Sequence, residues 1–471
     1  MADMTSSMGR KVYTFPRGGI SFTDPCAPSK NSSVTAFLPP VSIIPFTQQT
    51  GERSHPIVSP GDAVREGMLI ARSRGTGSLN IHATVPGRII RMVSYKGSDG
   101  VLRDAFAIRM EGSFEKLGRK EEVRSWENLL SYDIQRIVME YGVQEMEGSA
   151  KPVSELIHSL RSVPQPITLV VRCVFDDPWL AGECVLCKER TKAIAEGTAI
   201  LARTCHIDRI LYAVSQNEQT LGEAFLAASA EWGVPTSVVL TGSRYPHQNK
   251  RELEQVLRSY GKRESLNLGS LLILGPATLA AIFDAVKLKK PSLERYISVG
   301  GSAVKQPQVM RVRIGTRVGD LFAECGGFTT APGLIASGSP LMGKRIIDLD
   351  EPVLKTTYAI FALGKDFSTE AQTNCISCGE CRIVCPRSLD PEELYKKITL
   401  SVDPVSALKG AAACHACGCC EVVCPSRLPL GTTIAAYGGN RRDGNAILPT
   451  AHTVVNTAAN TTAAMPEGRN V

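Results

Sequence analysis

Nine of the fifteen cysteines lie between Cys375 and Cys424, and eight of those nine repeat one frame. Cys375, Cys378, Cys381 and Cys385 form CISCGECRIVCP. Cys414, Cys417, Cys420 and Cys424 form CHACGCCEVVCP. Both read C-x2-C-x2-C-x3-C-P. Three closely spaced thiolates wrap one face of a four-iron cube, and the fourth, followed by proline, leaves the tight loop to reach the neighbouring cluster. The frame therefore predicts crossed ligation by two [4Fe-4S] clusters. Cys375, Cys378, Cys381 and Cys424 would hold the first, and Cys414, Cys417, Cys420 and Cys385 the second. Gly379 and Gly418 follow the second ligand of each motif, where the backbone must turn sharply. Zinc is the competing reading, but structural zinc sites use two separated C-x2-C pairs, not an unbroken run of three ending in Cys-Pro. Cys419 falls outside the frame and is expected to be a spare thiol beside a cluster.

Cys184 and Cys187 make a further C-x2-C, in GECVLCKER. A third metal site or a redox pair is one reading of it. The segment reads as a helix start with no second pair nearby, so chance spacing is the simpler one. No residue is singled out as catalytic; every candidate site residue is a cluster ligand.

At 471 residues the chain exceeds one compact core and predicts several domains. The formal charge of +7 is spread among interspersed acids and bases, with no basic block for a nucleic-acid arm. A mildly basic surface suits an acidic redox partner or anionic headgroups. MADMTSSMGRKVYTF lacks the apolar core of a secretory signal. The most apolar window, 268–286, is interrupted by Gly275 and Pro276 and closed by Asp284, so it reads as strand, turn and helix and not as a membrane span. Clustered cysteines without a signal point to ligation in a reducing compartment, not to disulfides.

The pattern predicts a multidomain α/β and α+β protein. An N-terminal extension covers 1–40. PGDAVREGMLIA and ATVPGRIIRMV set turns between short strands in 41–112, like the small barrel of lipoyl and biotinyl carriers. The turn Val85-Pro86-Gly87-Arg88 lacks the lysine those carriers modify, so a docking role is expected. Residues 113–292 form an α/β domain after a linker and short helix at 113–131. Strands are expected at 167–173, 209–215, 236–242 and 270–275, and helices at 188–204 and 220–233. Strand–helix alternation implies a mostly parallel sheet. Residues 293–366 read as a β-grasp module, 367–434 as the double-cluster, ferredoxin-like domain, and 435–471 as a disordered tail.

This order of parts resembles the RnfC family, the C subunit of the Rnf ion-translocating electron-transport complex. The resemblance rests on PRGGISF (16–22), IPFTQQTG (44–51), VGGSAVKQPQVMRVRIGTRVGDLFAECGG (299–327), PLMGKRI (340–346) and CPSRLPL (424–430). It implies an SLBB-like β-grasp module and a peripheral protein on the cytoplasmic face of the inner (cell) membrane. Its partners would be the other subunits of such a complex and a soluble electron carrier: ferredoxin, flavodoxin or NADH. It also implies an α/β domain resembling the flavoprotein of respiratory complex I, where NADH reduces FMN and FMN feeds clusters.

The family's flavin loop, roughly Gly-x-Gly-Gly-Ala-Gly-Phe-Pro-Thr, is not matched. The corresponding stretch is EYGVQEMEGSAKPVSELI (140–157), which keeps Gly142 and Gly148 and adds Glu145 and Glu147. The family's Asn-Gly-Ala-Glu-x-Glu-Pro-Tyr becomes Arg172-Cys173-Val174-Phe175-Asp176-Asp177-Pro178-Trp179. Its Lys-Tyr-Pro-Gln-Gly becomes Arg244-Tyr245-Pro246-His247-Gln248. Close backbone approach to phosphate needs those glycines. The expectation is a cluster relay whose α/β domain has lost FMN and NADH; a differently built flavin loop is the alternative. Two other functions compete: a cobalamin reductase of microcompartments, which would also need the flavin loop, and a purely structural assembly protein.

Overall fold

The computed structural model describes residues 7–48, 51–75, 77–98, 100–112, 123–148, 150–365 and 372–438. Its centre is a five-stranded, all-parallel sheet. The order is Ser7–Tyr13, Thr236–Thr241, Arg209–Ser215, Ile167–Cys173 and Ser270–Leu274. The runs ITLVVRC and RILYAVS are apolar because helices cover both faces of such a sheet. Every residue of Ile167–Cys173 is buried.

The helix expected over 188–204 is broken. Ala181–Glu189 and Thr191–Thr204 are separate helices meeting at Arg190. Arg190 leaves helical geometry, and its guanidinium bonds both oxygens of Asp284 at 2.9 and 2.5 Å. Cys184 and Cys187 lie buried on the first of these helices, and the Cys187 sulfur is 3.9 Å from that of Cys173. The pair is core packing.

A six-stranded sheet follows: Lys344–Arg345, Pro332–Ser337, Ala359–Gly364, Glu294–Gly300, Gln308–Arg313 and Val34–Thr35. The helix Val318–Glu324 buries Val318, Leu321 and Phe322 in its core. The segment expected as an extension thus supplies an edge strand to each of these two sheets, Ser7–Tyr13 and Val34–Thr35. Residues 41–110 form two small sheets, four- and three-stranded, around Ile44, Phe46, Ile70 and Phe106. The turn at Val85-Pro86-Gly87 is buried, so no carrier-type tip stands there. Instead the Thr84 hydroxyl beside it donates to the Ile314 carbonyl at 2.7 Å, joining the barrel to the six-stranded sheet.

Of the linker and short helix expected at 113–131, residues 113–122 lie outside the described set. Residues 123–130 form no helix, and one begins at Ser131. The helix Leu430–Tyr437 enters the segment expected as a tail, and residues beyond 438 are outside the described set. No helix among the described residues is long and apolar enough to cross a membrane. The window 268–286 folds as the strand Ser270–Leu274 and the helix Pro276–Val286.

The parallel and six-stranded sheets are pinned by a buried ion pair, Arg295 to Glu183 at 2.8 Å, with side chains 3% and 1% exposed. Removing one partner strands the other charge, whereas replacing both by apolar groups does not. Glu183→Ala is expected to cost about 3–5 kcal/mol in urea denaturation, and the pair Glu183→Leu with Arg295→Met much less. Equal losses would contradict a stranded charge.

Candidate metal centres

The residues after 372 carry the cysteines on loops between short helices. The two motifs adopt matching backbones. Gly379 (φ 80°) and Gly418 (φ 83°) are left-handed, as are Ser377 (φ 53°) and Ala416 (φ 54°). Each left-handed pair curls its loop around its cysteines. The amides of Ser377 and Ala416 point at the sulfurs of Cys375 and Cys414, both at 3.4 Å, and Leu389 N–H points at Cys385 sulfur at 3.4 Å.

Two cavities result. One is lined by Cys375, Cys378, Cys381 and Cys424. The other is lined by Cys385, Cys414, Cys417 and Cys420, with Cys419 at its wall. Each fourth cysteine therefore faces the trio of the other motif. Among the described residues, no three His, Cys, Asp or Glu side chains are grouped to hold a single metal ion. A lone zinc would draw its thiolates to about 2.3 Å from one point. Four cysteines spread around a cavity, with amides aimed at sulfur, fit the thiolate ligation of a four-iron cube.

The quartets differ in setting. Cys375 and Cys378 are exposed, whereas Cys385 and Cys420 are buried. Burial pushes the Cys381 thiol up to about 11 and raises Cys385 and Cys420 as well. Ligation must therefore release protons these thiols otherwise keep. Cys419 is fully buried in an apolar cluster with Trp179, Tyr245 and Phe361, which leaves it beside the second quartet.

The second quartet is fastened to the parallel-sheet domain by residues whose role the sequence pattern did not disclose. Tyr245, fully buried, donates its hydroxyl to the Cys417 carbonyl at 2.7 Å. Its backbone pairs with Ile20 in both directions, at 3.0 and 2.9 Å. Gly19 N–H donates to the Val384 carbonyl at 2.8 Å. Gly18 is left-handed (φ 72°), and a Cβ there would lie 2.5 Å from the Cys385 carbonyl carbon. His415 Nδ1 contacts Glu252 Oε1, and Arg387 donates to Gln255 at 2.9 Å. PRGGISF carried a family likeness but no local signal of this docking, because its partners lie more than 200 residues away.

The carboxyl ends of Ile167–Cys173 and Ser270–Leu274 adjoin where the strand order reverses. Sheets of this kind bind nucleotides at that point. Here the loops beyond the strands carry four acids, three of them buried. Glu145 is buried and pairs with Lys250 at 3.0 Å. Asp176 and Asp177 are buried, taking amide protons from Gln248 at 3.1 Å and Trp179 at 2.9 Å. Burial, then the neighbouring Asp177, push Asp176 up to about 7. The Glu147 carboxylate lies against Gly275 and its Oε1 is buried with no hydrogen-bond partner. Burial, then Glu183, push Glu147 up to about 7, against the pull of Arg172, Arg295 and Lys250. These residues do not fit a flavin or nucleotide phosphate.

Comparison with known proteins meets this geometry. The RnfC barrel sandwich hybrid domain model matches residues 14–113, and the SLBB domain model matches residues 296–344. The C subunit of the ion-translocating oxidoreductase complex of Rhodobacter capsulatus is 32% identical over 367 residues, covering 77% of this chain and 70% of the relative. The chain belongs to the RnfC family. Its relative in Clostridium ljungdahlii, named as the C subunit of a proton-translocating ferredoxin:NAD(+) oxidoreductase complex, is 28% identical, covering 80% of this chain and 83% of that one. An NAD+-reducing [NiFe]-hydrogenase in its H2-reduced state superposes with TM-score 0.45 at 14% identity, over 66% of this chain and 61% of that one. Relatives of this RnfC-family chain are subunits of oxidoreductase complexes, so its place is among electron-transport proteins.

The raised Glu147 carboxyl has a pH signature. The folded protein keeps a proton there that the unfolded chain releases above about 4.5, so stability falls as pH rises from there to about 7. Glu147→Gln removes that loss. The variant is expected to match the parent near pH 5 and to exceed it by about 1–2 kcal/mol above pH 7, a figure discounted for the open side of the carboxylate. Thermal denaturation across that range checks it; parallel curves would refute the buried charge.

Proposed function

We propose that this chain is a two-cluster relay that passes single electrons within a membrane-bound, Rnf-type ion-translocating complex. The observation that carries this reading is the crossed arrangement of eight cysteines around two cavities. Cys375, Cys378, Cys381 and Cys424 hold one [4Fe-4S] cluster, and Cys414, Cys417, Cys420 and Cys385 hold the other. Each cluster, when bound, supplies a one-electron redox site. The chain's own work is to hold and expose those sites. The exposed Cys375 and Cys378 open the first quartet to an outside partner. Tyr245, Gly18 and Glu252 seat the second against the parallel sheet. Residues 367–434 are the unit that does this, on the cytoplasmic face of the cell membrane beside the other subunits.

The acids buried beyond the parallel strands do not suit NADH or FMN, which favours a one-electron carrier such as ferredoxin or flavodoxin as the soluble partner. A hydride donor would need a two-electron acceptor first.

Iron analysis of anaerobically purified protein is expected to give about eight iron atoms per chain, with EPR of two interacting reduced clusters. Cys419→Ala keeps that iron content. Cys424→Ser damages the cluster of Cys375, Cys378 and Cys381 and leaves the other spectrum in place. Loss of the Cys414 cluster alone in Cys424→Ser would overturn the crossed assignment, and a chain binding about one zinc per motif would overturn the relay.

A further inference from the structure

The cavity lined by Cys385, Cys414, Cys417 and Cys420 has His415 on its wall. His415 Nδ1 contacts Oε1 of Glu252, 163 positions away, in the first turn of the helix Lys250–Arg263. Both side chains are enclosed, at 8% and 0% exposure. Glu252 Oε2 is buried with no hydrogen-bond partner. Among the described residues, no lysine or arginine pairs with this carboxylate. His247 also feels its charge, but burial pushes that imidazole down to about 4, so it offers no cation at neutral pH. A buried carboxylate without a fixed cation is costly, and its field reaches far through a low-dielectric interior. Here the field falls on the second quartet. Burial raises the Cys385 thiol most, the Leu389 and Arg387 amides lower it, and Cys417 and Glu252 raise it further. Cys420 is raised by burial, then by Cys417 and by the buried Glu421. The acids beside the first quartet are answered differently. Glu392 pairs with Lys396 at 2.6 Å and Arg382 at 3.6 Å, and Asp390 pairs with Arg382 at 2.9 Å.

We propose that Glu252 is a positioning residue of the enclosed centre: through His415 it fixes one wall of the second cavity against the parallel-sheet domain, and its buried carboxylate makes the cluster held there harder to reduce. The proposal rests on reading the two quartets as [4Fe-4S] sites. Reduction adds one negative charge to a cluster, and a fixed negative charge nearby opposes it. Glu252 belongs to a helix of the parallel-sheet domain, so that domain sets the potential of a centre it does not ligate. Lys396 and Arg382 spare the first quartet the same effect. An electron is thereby favoured on the exposed centre, the one open to a partner.

The test uses the full chain, purified anaerobically with its iron measured, and Cys424→Ser marks which EPR spectrum belongs to which centre. Glu252→Gln keeps the shape of the side chain and removes its charge. It is expected to retain the parent's iron. At the parent's midpoint potential it should raise the reduced-to-oxidised ratio of the second centre about tenfold and leave the first centre unchanged. No shift, or equal shifts at both centres, overturns the proposal. Glu252→Ala also frees the cavity wall, so a chelator should strip the second centre faster than in the parent and the first at the parent's rate. Parent-like loss at both centres overturns the positioning. A double-mutant cycle of Glu252→Ala with His415→Ala, read as melting temperature, should be non-additive, the double variant losing no more than Glu252→Ala alone. Additive losses overturn the pairing. A parent chain without cluster iron defeats the relay and with it the effect on potential, whereas the cycle needs no cluster and decides the pairing by itself. Should Glu252→Ala not fold, the potential of Glu252→Gln carries the decision.

Discussion

Four thiols must converge at each of two points, and the residues that bring them there have little else to hold them. Among the described residues, the region after 372 has no sheet. Its apolar nuclei are small: Cys381, Cys420, Leu428 and Leu430 in one, Leu394, Ala411 and Ile434 in the other. A unit of about seventy residues with so slight a core needs staples. Two clusters would be such staples, because ligation energy is folding energy where no preformed site survives unfolding. The left-handed turns at Ser377, Gly379, Ala416 and Gly418 are the backbone cost of that convergence.

The second support is docking. Gly18 and Gly19 press against Val384 and Cys385, and Tyr245, paired with the neighbouring Ile20, reaches the Cys417 carbonyl. These contacts fall on the enclosed quartet, and none of them touches the exposed one. A relay needs this asymmetry: one centre fixed by its own protein, the other open to a partner. The parallel sheet, the six-stranded sheet and the barrel make the foundation rigid through buried polar links such as Arg295–Glu183 and Thr84–Ile314.

The parallel sheet reverses its strand order between Ile167–Cys173 and Ser270–Leu274 and has buried acids beyond that point. Glu145 is paired with Lys250 there, and the Glu147 carboxylate lies against Gly275. Fold and site part company here, as they often do, because strands and helices are held by their cores while binding depends on a few loop residues.

Much of this was legible in the residues alone. The strands at 167–173 and 209–215 are where apolar runs placed them, because burial on both faces leaves no other pattern. The cysteine spacing predicted the two sets of four that line the two cavities, since three residues between the last two cysteines cannot close the same tight loop. The loss of loop glycines was visible too. Local pattern failed where partners are distant: the break at Arg190, drawn out by Asp284, and the lacing of 7–35 into two sheets. Sequence determined which cysteines share a frame and which glycines differ from the family's loop, because both are short-range spacings. Only the tertiary structure decided that Tyr245 and Gly18 seat the enclosed quartet, and that Glu147 stands on Gly275. Those contacts join residues more than a hundred positions apart, and only packing brings them together.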